Sequence, residues 1–277
     1  MVNRATDRRM SFATSAAPTV FGPMLFAGRV PEAIRVAAEL GYQGIEISLR
    51  SAQELDRDRL REALEQHGLA LSALGSGRIF LEDGLSFSDP DVAIRGAASF
   101  RVGELIDLAA GFGALVIIGL VRGARPSSGD GSREREWIAE CLGGCADRAA
   151  GAGIGLVVEA INRYETVFHN TAAETLELID RVDRGNVGLL LDVFHMNIEE
   201  ASIAAAMRAA GERLHYFHIV DSNRWAPGFG HVDYGEIMAA LQAVGYAGWV
   251  SAEILPRPDD YAAARQARAF VAELGGG

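Results

Sequence analysis

The sequence contains no lysine; all 26 of its basic residues are arginine. A Schiff base on a protein needs a lysine amine, so lysine-type aldolase and pyridoxal-phosphate chemistry are excluded. The Walker P-loop also needs its lysine, which removes that class of nucleotide hydrolase. Basic charge is scarce altogether. The 26 arginines face 37 acids for a net charge of −11, and the most basic stretch, Arg4 to Arg9, is short and terminal. Nucleic-acid phosphates call for a basic stripe, so no nucleic-acid partner is expected. No apolar run approaches the ~18 residues of a membrane span, so no membrane partner is expected either. Cysteine is nearly missing too: Cys141 and Cys145 are the two present, and their spacing is not that of a redox CxxC pair. Packing along one helix, in a reducing cytoplasm, accounts for them. The opening "MVNRATDRRMSFATSAAPTVFG" carries an arginine pair followed by polar residues and Pro18 rather than a clean apolar core. Residues 1–10 therefore read as an untidy leader before one domain over 11–277.

What the chain does have is a rhythm. Short apolar runs follow helix-like segments that end near glycine: "SFATS", "GYQGIEIS", "GLALSALG", "FGALVIIG", "GIGLVVEA", "NVGLLLDV", "RLHYFHIV" and "GWVSAEIL". Glycine after a helix supplies the left-handed cap that turns the chain back. Runs of 4–8 residues rich in Val, Ile and Leu read as strands covered on both faces. Between them lie start signals for helices: Asp89 before Pro90, Thr171 with Glu174, and Asp233 with Glu236. Eight units in 277 residues give about 35 residues each, the size of a βα unit. The pattern predicts a parallel (β/α)8 TIM barrel with no internal boundary. Two connections, 75–90 and 120–134, are expected to be long loops at the C-terminal face, where barrel enzymes do their chemistry.

Four of the apolar runs close on a polar residue. "GLVVE" ends in Glu159, "VGLLLD" in Asp192, "LHYFH" in His218 and "WVSAE" in Glu253. The separations of 33, 26 and 35 residues are about one βα unit apiece. Four neighbouring strands would then aim one ligand each at a common point. A single such residue reads as a helix cap or loop brace; four in adjacent units read as a divalent-metal site. Three carboxylates with one imidazole suit Mn2+, with Mg2+ or Co2+ as alternatives, rather than a thiolate zinc site. Side-chain parity sends His218 inward with Tyr216 and turns His215 the other way, packed under a helix. Further polar residues follow the strands: Glu165, His195, Arg224 and Arg122. His231 and Asp233 stay outside the metal site, since Asp233 is explained as a cap.

The segments "EAINRYET", "LLLDVFHMNIEE" and "HIVDSNRWAPGFGH" resemble the D-tagatose 3-epimerase group of xylose-isomerase-like TIM barrels, and the resemblance runs from about residue 10 to 274. Within the group, "LSALGSGRIFLEDGLSFSDPD" and "FGALVIIGLVRG" resemble 5-keto-L-gluconate epimerase more than the free-ketose enzymes. The resemblance implies one divalent ion, Mn2+ first, held by Glu159, Asp192, His218 and Glu253. It implies substrate oxygens held by Glu165, His195 and Arg224, a small sugar or sugar-acid substrate, and a homodimer or homotetramer. Epimerisation takes a proton from one face of C3 and returns it to the other, and Glu159 and Glu253 form the symmetric pair for that work. A divalent cation would take the place of an imine as the electron sink. Arg122 is the candidate for gripping a substrate carboxylate, because a planar guanidinium matches one bidentately. Hydroxypyruvate-type isomerases, inosose-type dehydratases and a DNA-repair endonuclease share the barrel, so aldose–ketose isomerisation and dehydration stay open alternatives.

Overall fold

The computed structural model describes residues 9–127 and 129–274, so residues 1–8 of the expected leader lie outside the described residues. All eight apolar runs are strands: β1 (Met10–Ser15), β2 (Gly44–Ser48), β3 (Ala70–Gly75), β4 (Leu115–Ile118), β5 (Leu156–Glu159), β6 (Val187–Asp192), β7 (Leu214–His218) and β8 (Trp249–Ala252). Each pairs in parallel with its neighbours in sequence, and β1 pairs with β8 to close the barrel. Helices follow the strands and form the outer layer.

Side chains along a strand alternate between the lumen and the helix layer, and both are buried, which is why these runs are mostly apolar and their polar members small or hydrogen-bonded. Val157 and Leu190 point into the lumen with Ala73, Ile117, Tyr216 and Trp249. Their successors, Val158 and Leu191, point outward under the helices with Phe12 and Ile45. Burying each such aliphatic side chain is worth about 1.5–3 kcal/mol. The lower end of the lumen holds the Trp249 ring, and a Cβ on Gly44 would meet it at 2.7 Å, so β2 carries a glycine there.

Local signals are met unevenly. Thr171 and Glu174 form a reciprocal capping box on helix Ala172–Val182. Asp233 caps helix Tyr234–Ala243 by accepting from the amides of Gly235 and Glu236. The expected cap at Asp89 is corrected: helix Val92–Ala110 is capped by Asp91, whose own amide donates to Asp89. The stretch 75–90 is likewise no plain loop. It contains helix Gly77–Asp83, held down by Arg78, while 120–134 opens with a 3₁₀ turn over Leu120–Arg122. His215 does point away from the lumen, but it is exposed beside Gly188 instead of covered by a helix. Cys141 and Cys145 are unbridged on helix Ser132–Gly151, and burial pushes the Cys145 thiol up to about 12.

Candidate metal centre and active site

Glu159, Asp192 and His218 are the last residues of β5, β6 and β7, and Glu253 follows the last residue of β8. A strand end is the one place where a polar side chain can leave the apolar lumen without leaving the barrel axis. The four side chains are buried, and one donor atom from each lies within 4.8 Å of all the others. The sequence-predicted quartet is therefore a single cluster, at the C-terminal mouth of the barrel.

Three acids packed this tightly disturb one another. Burial, and then the neighbouring Glu253, raise the Glu159 carboxyl well above its usual range. Burial raises Glu253 to about 7, against the pull of His218 and Arg224. Burial would also raise Asp192, but His195 and His218 hold it at about 2. His218 is raised despite its burial, because Glu46 and Asp192 flank it. The cluster thus carries more negative charge than its surroundings neutralise.

Two donor atoms in it have no hydrogen-bond partner: His218 Nδ1 and Asp192 Oδ2, which face each other at 3.3 Å. Buried polar atoms are nearly always satisfied, so two facing atoms with no other partner make this a cluster that could hold a cation. Asp192 spends its other oxygen, Oδ1, on the amides of Phe194 and His195 as the N-cap of helix Val193–Glu199. The donor set fits a divalent ion, since three carboxylates and one imidazole are hard-to-borderline ligands.

A second group of side chains rims this cluster. Arg224 donates through Nη1 to Glu165 at 3.0 Å and through Nη2 to Glu253 at 2.9 Å. Its guanidinium stacks between the rings of Phe21 and Phe194, and its backbone sits at φ 63°, a strained conformation for a residue other than glycine. His195 Nε2 lies 3.5 Å from Glu159, and burial lowers its pKa to about 4, so the ring is neutral. Asn162 Nδ2 stands 2.7 Å from His195 Nδ1. An amide nitrogen can only donate, so Nδ1 accepts and Nε2 carries the ring proton. Asn162 also donates to Glu165 at 3.0 Å. Glu165, His195 and Arg224 are brought together as the sequence suggested, and Asn162, unremarked within "EAINRYET", ties them.

Arg122 is the exception. It is 1% exposed, and it donates through Nε to the Gly119 carbonyl and through Nη2 to the backbone carbonyl of Glu159 at 2.5 Å. The 3₁₀ turn folds the side chain back beneath β5, and burial lowers its pKa to about 10. Instead of a substrate carboxylate, it holds the main chain that presents Glu159.

A narrow cavity of about 40 Å³ reaches the ligands and is lined by Glu46, Glu159, His218 and Glu253, with Phe21, Met24, Leu81, Ile117 and Leu120 as its apolar wall. Glu46, inside "GIEIS" on β2, is the residue that sequence reading passed over. A charged side chain within an apolar strand run was the available signal.

A closed eight-stranded barrel with a polar cluster at its C-terminal mouth defines the class of TIM-barrel enzymes that work from their strand ends. The chain belongs to the xylose isomerase-like TIM barrel family, whose family model matches residues 34–274. It is 36% identical over 225 residues to an L-ribulose 3-epimerase of Methylomonas sp., covering 80% of this chain and 77% of that one. It is also 36% identical over 230 residues to a D-psicose 3-epimerase of Agrobacterium fabrum, covering 79% and 77%. Among solved structures, D-allulose 3-epimerase from Methylomonas sp. superposes with a TM-score of 0.82 at 27% identity, over 97% of this chain and 99% of that one. These relatives are epimerases, and epimerases are isomerases.

Proposed function

We propose that the protein is a divalent-metal-dependent sugar epimerase that interconverts C3 epimers of a free ketose. The observation that carries this reading is the buried quartet Glu159, Asp192, His218 and Glu253, with its two unpartnered donors. These four residues would hold the ion. A bound divalent ion supplies the positive charge that makes a C–H beside a carbonyl acidic enough to remove.

The chain's own residues supply the rest. Glu159 and Glu253 enter from β5 and β8, across the barrel from each other, so one can take the C3 proton while the other returns a proton to the opposite face through an enediolate of the sugar. His195, with its proton on Nε2, and Arg224 offer donors to the sugar oxygens, and Glu165 offers an acceptor. Packing of Phe21 against Arg224 narrows the mouth and keeps water away from the reacting carbon.

A neutral ketose suits the pocket better than a keto sugar acid such as 5-keto-L-gluconate. The lining cation Arg78 is committed in full to Glu54, Glu82 and the Ser48 carbonyl. The charge of Arg224 is paired with Glu165 and Glu253, and the donor it keeps without a partner is the buried Nε. No free guanidinium among the described lining residues waits for a substrate carboxylate. The test is incubation of the Mn2+-loaded protein with D-fructose, D-tagatose and 5-keto-L-gluconate in D2O. Deuterium at C3 of a ketose is expected; its absence from all three would refute epimerisation, and label in the acid alone would reverse the substrate preference.

A further inference from the structure

Glu46 has no part in the proton exchange described above, yet it is a charge buried in the lumen at 2% exposure. It sits on β2, and its carboxylate crosses the barrel to β7. Oε2 accepts from the hydroxyl of Tyr216 at 3.0 Å and lies 3.1 Å from His218 Nε2. Tyr216 is fixed in turn by Ser72 Oγ at 2.8 Å and Ser11 Oγ at 3.3 Å, and its ring stands edge-on to the His218 ring at 5.6 Å. Serines from β1 and β3, a glutamate from β2 and a tyrosine from β7 thus form one buried network that ends on a single imidazole.

An isolated carboxylate at this depth is costly, and aliphatic side chains fill the same layer elsewhere. A purely structural polar plug would leave the other ring nitrogen free to find a partner as well. Here it has none: Nδ1 is orphaned and turned toward the orphaned Oδ2 of Asp192. A carboxylate only accepts, and Glu46 is the nearer of the two that face the ring, at 3.1 Å from Nε2 against 3.3 Å from Nδ1 to Asp192. With Nε2–H given to Glu46, a neutral ring turns its Nδ1 lone pair toward the cluster.

We infer that Glu46 is a positioning residue for metal capture: it fixes the His218 tautomer and angle that present Nδ1 to a divalent ion, with Tyr216 as its anchor. The inference rests on reading the quartet as a metal site. Carboxylates behind a metal-bound imidazole raise its basicity, and removing one costs about 10- to 100-fold in metal affinity.

The experiment is calorimetric titration of the metal-stripped protein with Mn2+, wild type beside Glu46→Gln, Glu46→Ala and Tyr216→Phe. Glu46→Gln keeps an acceptor for Nε2–H and loses only the charge, so a fall of about tenfold is expected. Glu46→Ala frees the ring and should fall further, by about 100-fold. Tyr216→Phe removes the anchor of Glu46 but keeps the Glu46–His218 contact, so a fall smaller than that of Glu46→Gln is expected. Histidine 15N spectra of the metal-stripped protein, at a pH where the ring is neutral, give a readout that a merely structural role would not move. Nε2 protonation is expected in wild type and Glu46→Gln, and mixed tautomers in Glu46→Ala. Wild-type Mn2+ affinity in the folded Glu46→Gln and Glu46→Ala proteins would overturn the inference. If wild type itself bound no Mn2+, the metal reading would fall, and the inference with it.

Discussion

Gly119 lies directly in front of Glu159, and adding one methyl group there tests how tightly that carboxylate is placed. A Cβ at Gly119 would stand 2.9 Å from Glu159 Oε2 and 3.6 Å from Ile161 Cδ1. The second contact is ordinary; the first is not. A comfortable C···O separation is about 3.3 Å, so in Gly119→Ala the oxygen must withdraw by roughly 0.4 Å. It has little room, because Arg122 pins the Glu159 carbonyl from below. Misplacing a reacting group by about 1 Å costs about 100-fold, so roughly 0.4 Å scales to a loss of about sixfold, or about 1 kcal/mol of transition-state stabilisation. The assay pairs kcat/KM for C3 epimerisation of the best ketose with a thermal melt of the metal-loaded protein. Full activity in Gly119→Ala would show that Glu159 has slack and refute the reasoning; the melt separates a displaced carboxylate from a protein that no longer folds.

Glu253→Gln removes one half of the proton-exchanging pair while keeping its shape, so turnover should fall by about 100- to 10,000-fold, with ketose binding still measurable by equilibrium titration. Retention of wild-type turnover would remove Glu253 from the chemistry. The metal-stripped protein should also show a pH signature. The Glu253 carboxyl rises from its usual range to about 7 in the fold, and Glu159 and His218 also rise. Groups raised by folding contribute stability that is present below their unfolded values and lost as pH climbs through the folded ones. The stripped protein should therefore lose Tm between the ordinary carboxylate range and slightly above neutrality. Mn2+ should raise Tm more at the alkaline end, since the ion must displace protons at the acid end. A shift from Mn2+ that is larger in acid would contradict these assignments.

The barrel was legible because both faces of each strand are covered, and that produces continuous apolar runs that no other element needs. The proposed ligands were legible for a related reason: each closes an apolar run at a strand end, so Glu159, Asp192, His218 and Glu253 stood out by contrast. Contrast also explains the failures. Glu46 sits in mid-strand, where a charge looks like an exposed position on an ordinary alternating strand, and only closure of the sheet shows that it points into the lumen. Asn162 gains its meaning from His195, which arrives from the next strand's helix. Arg122 stood where a substrate-facing cation was plausible, but a three-residue turn reverses its direction, and nothing in the residue order reports that reversal. Asp89 and Asp91 offer the same cap chemistry two positions apart, and packing of the helix against its neighbours selects the second.

Asp192 performs two duties with two oxygens: one caps helix Val193–Glu199 and the other faces the ligand cluster. The amides held by the first oxygen include that of His195, so the backbone that presents this imidazole hangs from the same carboxylate that faces the cluster. Lengthening that side chain by one methylene would force a choice between the cap and the cluster. Charge alone is therefore no measure of what is interchangeable here; on the proposed metal reading the position is specified twice, once by a helix and once by an ion, and only the shortest acid answers both.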